Sequence, residues 1–188
     1  MTQNLWQKKL KLSYNENVID IIQYGSSVIE EKTPRDADIA VLYQKIPLKE
    51  QLQLSQEIKI QLQKHYEKSI HITSFDLYSF FHKGNFAKEG ILFYGRSLLT
   101  KDYFAKLFGL EPKIQINYSL QKLKKKEKIK FHYMLQGKSE KYGLLKKHGG
   151  KLISPGLIEI APEHEHIFTE RISSQIKDFN TKKVLYLI

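Results

Sequence analysis

Residues 18–24 read VIDIIQY, a β-branched run that stops at Gly25, and this predicts a buried strand feeding a turn. In residues 36–43, DADIAVLY, Asp36, Asp38 and Ala40 fall on one face and Ile39 and Val41 on the other, the two-residue period of a second strand. From residue 47 to about 66 the apolar positions move to every fourth place, Leu54, Ile58, Leu62 and Tyr66, with Lys, Gln and Glu between them. That is the stripe of an amphipathic helix. Residues 69–75 alternate again, Ile70 and Ile72 against His71 and Thr73. Asp76 then precedes a short helix ending near Gly84, and residues 91–94 read as another strand. Residues 98–108 read as a helix stopped by Gly109, and Pro112 blocks its continuation.

A domain boundary is placed there, giving a first domain of residues 1–110 and a second of residues 111–188. In the second, Ile114, Ile116 and Tyr118 alternate as a strand, Ser119 caps a lysine-rich helix that ends at Gly137, and residues 142–147 form a short helix closed by Gly149 and Gly150. Pro155 and Gly156 suit the two central positions of a type II turn, so Leu152 and Ile153 pair with residues 157–161 in a hairpin. Pro162 opens a last helix carrying Phe168, Ile172 and Ile176, and residues 184–188 close as a strand. The expected fold class is α/β of the α+β kind: a mixed sheet flanked by helices, followed by a small basic α+β domain.

Composition narrows the partners. The 188 residues include no cysteine, which removes disulfides, thiolate metal sites and thiol catalysis and fits a reducing compartment. No apolar stretch approaches the roughly 18 residues of a membrane span, and residues 1–10 hold no apolar signal core, so the expected location is cytoplasmic. The formal charge of +11 is unevenly spread. Residues 1–110 contribute +3 and residues 111–188 contribute +8, and Lys113 to Lys151 alone hold 12 lysines against Glu127 and Glu140. A polyanion is the partner such an asymmetry suggests.

The chemistry concentrates in residues 24–42, YGSSVIEEKTPRDADIAVL. On a strand, residues i and i+2 point the same way about 6 to 7 Å apart, so Asp36 and Asp38 can share hard divalent cations, which prefer oxygen ligands. Gly25 has no side chain to obstruct backbone approach, and the amides after it, with the hydroxyl of Ser26, can cradle phosphate oxygens. The competing reading makes residues 34–38 a plain loop with solvated acids. Against it stands the apolar run from Ile39 to Leu42, which places Asp38 in a strand where a carboxylate needs a partner or an ion.

On these residues the chain resembles the DNA polymerase beta superfamily of nucleotidyltransferases, in its minimal prokaryotic form. The resemblance spans roughly residues 15–96: the Gly25 and Ser26 turn, the Asp36 and Asp38 pair in an otherwise apolar strand, the helix and strand that follow, and the stretch 84–95, GNFAKEGILFYG. It implies a nucleotidyltransferase-type sheet, nucleoside triphosphate binding, most naturally ATP, at Gly25, Ser26 and Ser27, and Mg2+ or Mn2+ on Asp36 and Asp38. Members of the family place a third carboxylate on a later strand; here that slot holds His71, either as a base or as a polar lining residue. Asp76 is the nearest carboxylate, a candidate third ligand or a helix N-cap. Glu30 and Glu31 fall near the expected triphosphate, where their charge would oppose it unless they point away, with Lys32 and Arg35 as compensating cations.

In the second domain Lys122, Lys124, Lys125, Lys126, Lys128 and Lys130 alternate with Ile129, Phe131 and Tyr133. Lysines neutralise phosphates, and Tyr118, Phe131, Tyr133 and Tyr142 are candidates for stacking on exposed bases. A solvated lysine-rich face is the plainer alternative. Glu163, His164, Glu165 and His166 resemble a metal motif, but positions i and i+2 diverge on a helix, so acids suited to a helix start are expected instead. His148, beside Gly149, is expected as a helix-end residue. The functional expectation is transfer of a nucleoside monophosphate to an acceptor, RNA or possible tRNA. Two alternatives are an antitoxin-like adenylyltransferase acting on a protein partner and a catalytically inactive RNA-binding component retaining the fold.

Overall fold

The computed structural model describes residues 4–32, 34–85, 87–138 and 141–188, with Lys141 described by its backbone. Thr33 and Phe86, in the two stretches that carry the resemblance, and Glu140, in the lysine-rich segment, lie outside the described residues. The chain is mixed α+β and divides into two compact units, Met1–Val28 with Lys32–Leu110, and Ile29–Glu31 with Glu111–Ile188.

The first unit is built on β1 (Val18–Tyr24), β2 (Asp36–Tyr43), α1 (Leu48–Gln63), β3 (Ser69–Asp76), α2 (Leu77–Phe81), α3 (Ala87–Tyr94) and β4 (Arg96–Ser97). Its sheet runs β3-β2-β1-β4; β2 is antiparallel to β1 and parallel to β3, with α1 as the crossover that a parallel pair requires. Central β2 is covered on both faces. Ala37, Ile39, Val41 and Tyr43 meet Ile58 and Leu62 of α1, while Ala40 and Leu42 meet a second core containing Phe80, Ile91 and Phe104. Rings in that second core meet edge to face, Phe80 with Phe104 at 5.5 Å and Phe104 with Phe108 at 5.2 Å.

Two elements differ from the sequence expectation for physical reasons visible locally. Residues 91–94 belong to α3 rather than to a strand: the Asn85 side chain accepts a hydrogen bond from the Ala87 amide at the helix start, and Ile91 points into the core. The helix expected over 98–108 contracts to a 3₁₀ turn, Phe104–Phe108, because the Ser97 hydroxyl accepts from the amides of Leu99 and Thr100 and fixes a turn there. Gly109 does end it in the left-handed conformation, φ 68°.

The second unit contains β5 (Leu110–Tyr118), α4 (Lys125–Gln136), β6 (Gly137–Lys138), β7 (Lys141–Tyr142), α5 (Leu144–Lys147), β8 (Lys151–Ser154), β9 (Leu157–Ile160), α6 (Glu165–Ser173) and β10 (Phe179–Leu187). Its main sheet runs β10-β5-β9-β8, leaving β10 at an edge. The β8–β9 hairpin turns at Gly156, φ 87°, as the Pro155 and Gly156 pair requires. Strand β5 starts earlier than Ile114 and includes Pro112, which sits outside the 114–117 ladder to β9 and is not asked for a donor there. Helix α4 starts at Lys125, not after Ser119, because the Glu127 carboxylate accepts from the Lys124 amide; Ser119 instead accepts from the Gln121 amide. Ile114, Ile116, Phe131, Leu135, Ile158, Ile160, Phe168 and Ile172 form the core.

Candidate functional site

The parity of β2 places Asp36 and Asp38 on the same face as Ala40 and Leu42, at the end of the strand. The aromatic core covers Ala40 and Leu42, whereas the two aspartate side chains keep 30% and 32% of their surface open to solvent. Antiparallel pairing sets Tyr24 opposite Asp38, so the turn leaving β1 passes directly beside that carboxylate. Gly25 has φ 74°, and a Cβ there would lie 2.4 Å from Asp38 Oδ2. Only glycine meets both demands. On the other side, parallel pairing sets His71 opposite Asp38; its Nδ1 lies 3.5 Å from Asp36 Oδ2 and 4.0 Å from Asp38 Oδ1.

Burial, then the neighbouring Asp36 charge, pushes the Asp38 carboxyl above the ordinary carboxylate range, with His71 opposing. The phenol of Tyr24 is likewise pushed up by burial, with a hydrogen bond to Thr73 opposing and Asp38 adding to the rise. Tyr66 rises through burial and then through Asp36. Two carboxylates thus raise the cost of further negative charge around them, and a cation relieves it. Of these donors the two carboxylates fit a hard divalent ion that takes one or two protein carboxylates and fills the rest of its shell with water or phosphate oxygens, and the imidazole is not one of its ligands.

The serines divide. The Ser27 hydroxyl is buried, donating to the Tyr24 carbonyl and accepting from Gln23 Nε2, so it holds the turn together and is not directed to a ligand. The half-buried Ser26 hydroxyl makes no hydrogen bond among the described residues. Asp76 does not join the pair. It lies opposite Tyr43 at the far end of β2, five residues and about 16 Å along the sheet from His71. Its carboxylate accepts from the Ser79 amide as the N-cap of α2, and that bond holds its pKa below the usual carboxylate range.

All six candidate lysines, Lys122, Lys124, Lys125, Lys126, Lys128 and Lys130, are exposed. Lys126 and Lys130 share a helical face with Ile129 and Tyr133, each pair four residues apart on α4. Of the aromatics, Phe131 is buried and meets Tyr118 at 5.0 Å, so those two are core. Tyr133 and Tyr142 are exposed, with Lys138 and Lys146 Nζ lying 5.4 and 4.2 Å from their ring centres.

A further cluster lies in the second unit. Glu30 Oε2 is 2.5 Å from His164 Nδ1 and 3.3 Å from His148 Nδ1, and the three groups could hold a metal ion. Glu30 therefore has histidine partners, which the sequence expectation of an acid facing a triphosphate did not include. His148 does end α5, as expected, and His164 precedes α6, but both rings turn to one carboxylate that the sequence holds far away. No spacing rule connects them; only the fold does.

No helix among the described residues is long and apolar enough to cross a membrane. No protein-family model, no curated protein and no solved structure matches the chain.

Proposed function

We propose that the first unit is a metal-dependent nucleotidyltransferase, and that the second unit binds its RNA acceptor. The observation that carries this reading is the close approach of the Asp38 carboxylate to Gly25, which sets two acids and a glycine turn side by side at one open sheet end. Asp36 and Asp38 would hold magnesium or manganese, whose positive charge offsets the charge on the phosphates of a bound nucleotide such as ATP. Gly25 lets the turn close onto the Asp38 carboxylate, so phosphates held by a metal on that carboxylate would lie beside the turn, and the Ser26 hydroxyl is available to donate to one of their oxygens. In the reaction an acceptor hydroxyl oxygen bonds to the α-phosphorus as the bond to the bridging oxygen breaks, and pyrophosphate leaves. His71, which lies beside both carboxylates, would take the hydroxyl proton. The exposed lysines of α4, with Tyr133 among them, supply phosphate neutralisation and a ring for stacking.

A second reading is favoured by the same histidine. An imidazole within 3.5 to 4.0 Å of both carboxylates, when it carries a proton, offsets part of their charge without metal, which suits an RNA-binding protein that keeps the fold without the reaction. Magnesium-dependent ATP binding, compared between the native chain and the Asp36→Ala, Asp38→Ala double variant, is the first test. Loss of binding in the variant is expected, and undiminished binding removes the enzymatic reading. Labelled ATP offered with RNA and with protein acceptors then separates RNA transfer, modification of a protein partner, and RNA binding without turnover.

A further inference from the structure

We propose that Glu30, His148 and His164 form a transition-metal site of the zinc class, separate in residues and in chemistry from the aspartate pair. Two imidazoles and one carboxylate are the donors that zinc takes in sites with three protein ligands and one exchangeable water, whereas magnesium prefers an all-oxygen shell. The three donor atoms lie within 4.8 Å of one another. Bonds of about 2.0 to 2.1 Å in a tetrahedral shell put donors about 3.3 Å apart, the separation found between His148 Nδ1 and Glu30 Oε2, 3.3 Å. The His164 Nδ1 to Glu30 Oε2 pair is closer, at 2.5 Å, so a metal replaces that hydrogen bond and moves the two atoms apart by a little under 1 Å.

The backbone holds all three ligands before any ion arrives. The Glu30 amide donates to the Glu163 carbonyl, the His148 amide to Leu144 and the His164 amide to Ala161. The His148 ring is further fixed between the His164 ring, 4.8 Å away, and Phe168, 6.1 Å away. Exposure falls in a useful order: His148 is 8% exposed, His164 17% and Glu30 46%, so the ion has two sheltered nitrogen ligands and a solvent side from which to enter. That side is where the fourth, exchangeable ligand belongs.

The test uses the full chain freed of metal by chelator dialysis and titrated with Zn2+ against a competing chelator, with Co2+ as an optical reporter of tetrahedral nitrogen and oxygen ligation. One Zn2+ per chain is expected, held in the presence of millimolar Mg2+. Glu30→Gln, His148→Asn and His164→Asn should each weaken it by more than the roughly 10- to 100-fold that follows loss of a merely supporting partner. His132→Asn, an exposed histidine outside the cluster, should leave it unchanged. Absence of zinc uptake at micromolar Zn2+, displacement by Mg2+, or stoichiometric binding in the His148→Asn, His164→Asn double variant overturns the proposal. Glu30 is exposed, so Glu30→Gln folds and decides the matter even if a histidine variant does not; equal zinc affinity in that variant is equally fatal.

Discussion

The Cα of Gly25 lies against the carboxylate of Asp38, so closely that a Cβ at residue 25 would come within 2.4 Å of Oδ2. Gly25→Ala therefore displaces that carboxylate and strains a backbone at φ 74°, a conformation that costs a non-glycine residue about 1 to 2 kcal/mol. The variant should melt lower than the native chain and lose magnesium-dependent ATP binding. Ser27→Ala should lower the melting temperature by removing the bonds to Tyr24 and Gln23, with little change in ATP affinity of the fraction that remains folded. Calorimetric melting and ATP titration of both variants check the contrast.

Asp76 is a cap, and its replacement separates that role from metal ligation. Asp76→Ala removes the acceptor for the Ser79 amide and should cost about 1 kcal/mol of stability. Denaturant unfolding should show that loss, while ATP and magnesium titrations stay at native values. A selective loss of magnesium affinity would restore Asp76 as a ligand.

Asp20 sets a pH dependence. It is buried, accepts from the Ser97 hydroxyl and the Ile21 amide, and burial raises its pKa from 3.8 to about 6 against those two hydrogen bonds. Between about pH 4 and pH 6 the unfolded chain has already released this proton while the folded chain retains it, so stability falls as pH rises through that window. Two pKa units correspond to a few kcal/mol, on the order of 3. Asp20→Asn keeps an acceptor for Ser97 without the charge, so its stability should exceed the native value at pH 7, with a flatter profile between pH 4 and pH 6. Unfolding curves across that range decide it, and parallel profiles would refute the assignment.

For the basic face of α4, Lys126→Gln and Lys130→Gln should each reduce the slope of log affinity for single-stranded RNA against log salt by about 1. Tyr133→Ala should weaken binding by about 1 to 3 kcal/mol while leaving that slope in place. Filter binding at several salt concentrations distinguishes them. Slopes that do not respond to the lysines would mark the face as solvated and nothing more.

Much of the first unit is legible in its sequence because the physical signals there are local. The run 18–24 and the alternation 36–43 coincide with β1 and β2, and the two-residue period alone places Asp36 and Asp38 on one face. Four apolar residues at 91–94 fit a strand or one helical turn equally, and what decides between them is the Asn85 side chain at the helix start. In the same way Ser97, through two side-chain bonds to backbone amides, and Glu127, through one, cancel a helix or move its start. The pairing of Glu30 with His148 and His164 is beyond any such signal, because its partners meet only through tertiary structure.

Strand β10 lies outermost in its sheet and carries Lys182 and Lys183 along its middle, both exposed. An unpaired border of this kind ordinarily invites another chain to add itself, with aggregation as the end point. Here any newcomer aligning its backbone would have to crowd the exposed ammonium of Lys182. The exposed Leu187 and Ile188 that follow would otherwise favour such growth, so the charge of Lys182 in mid-strand acts against self-association.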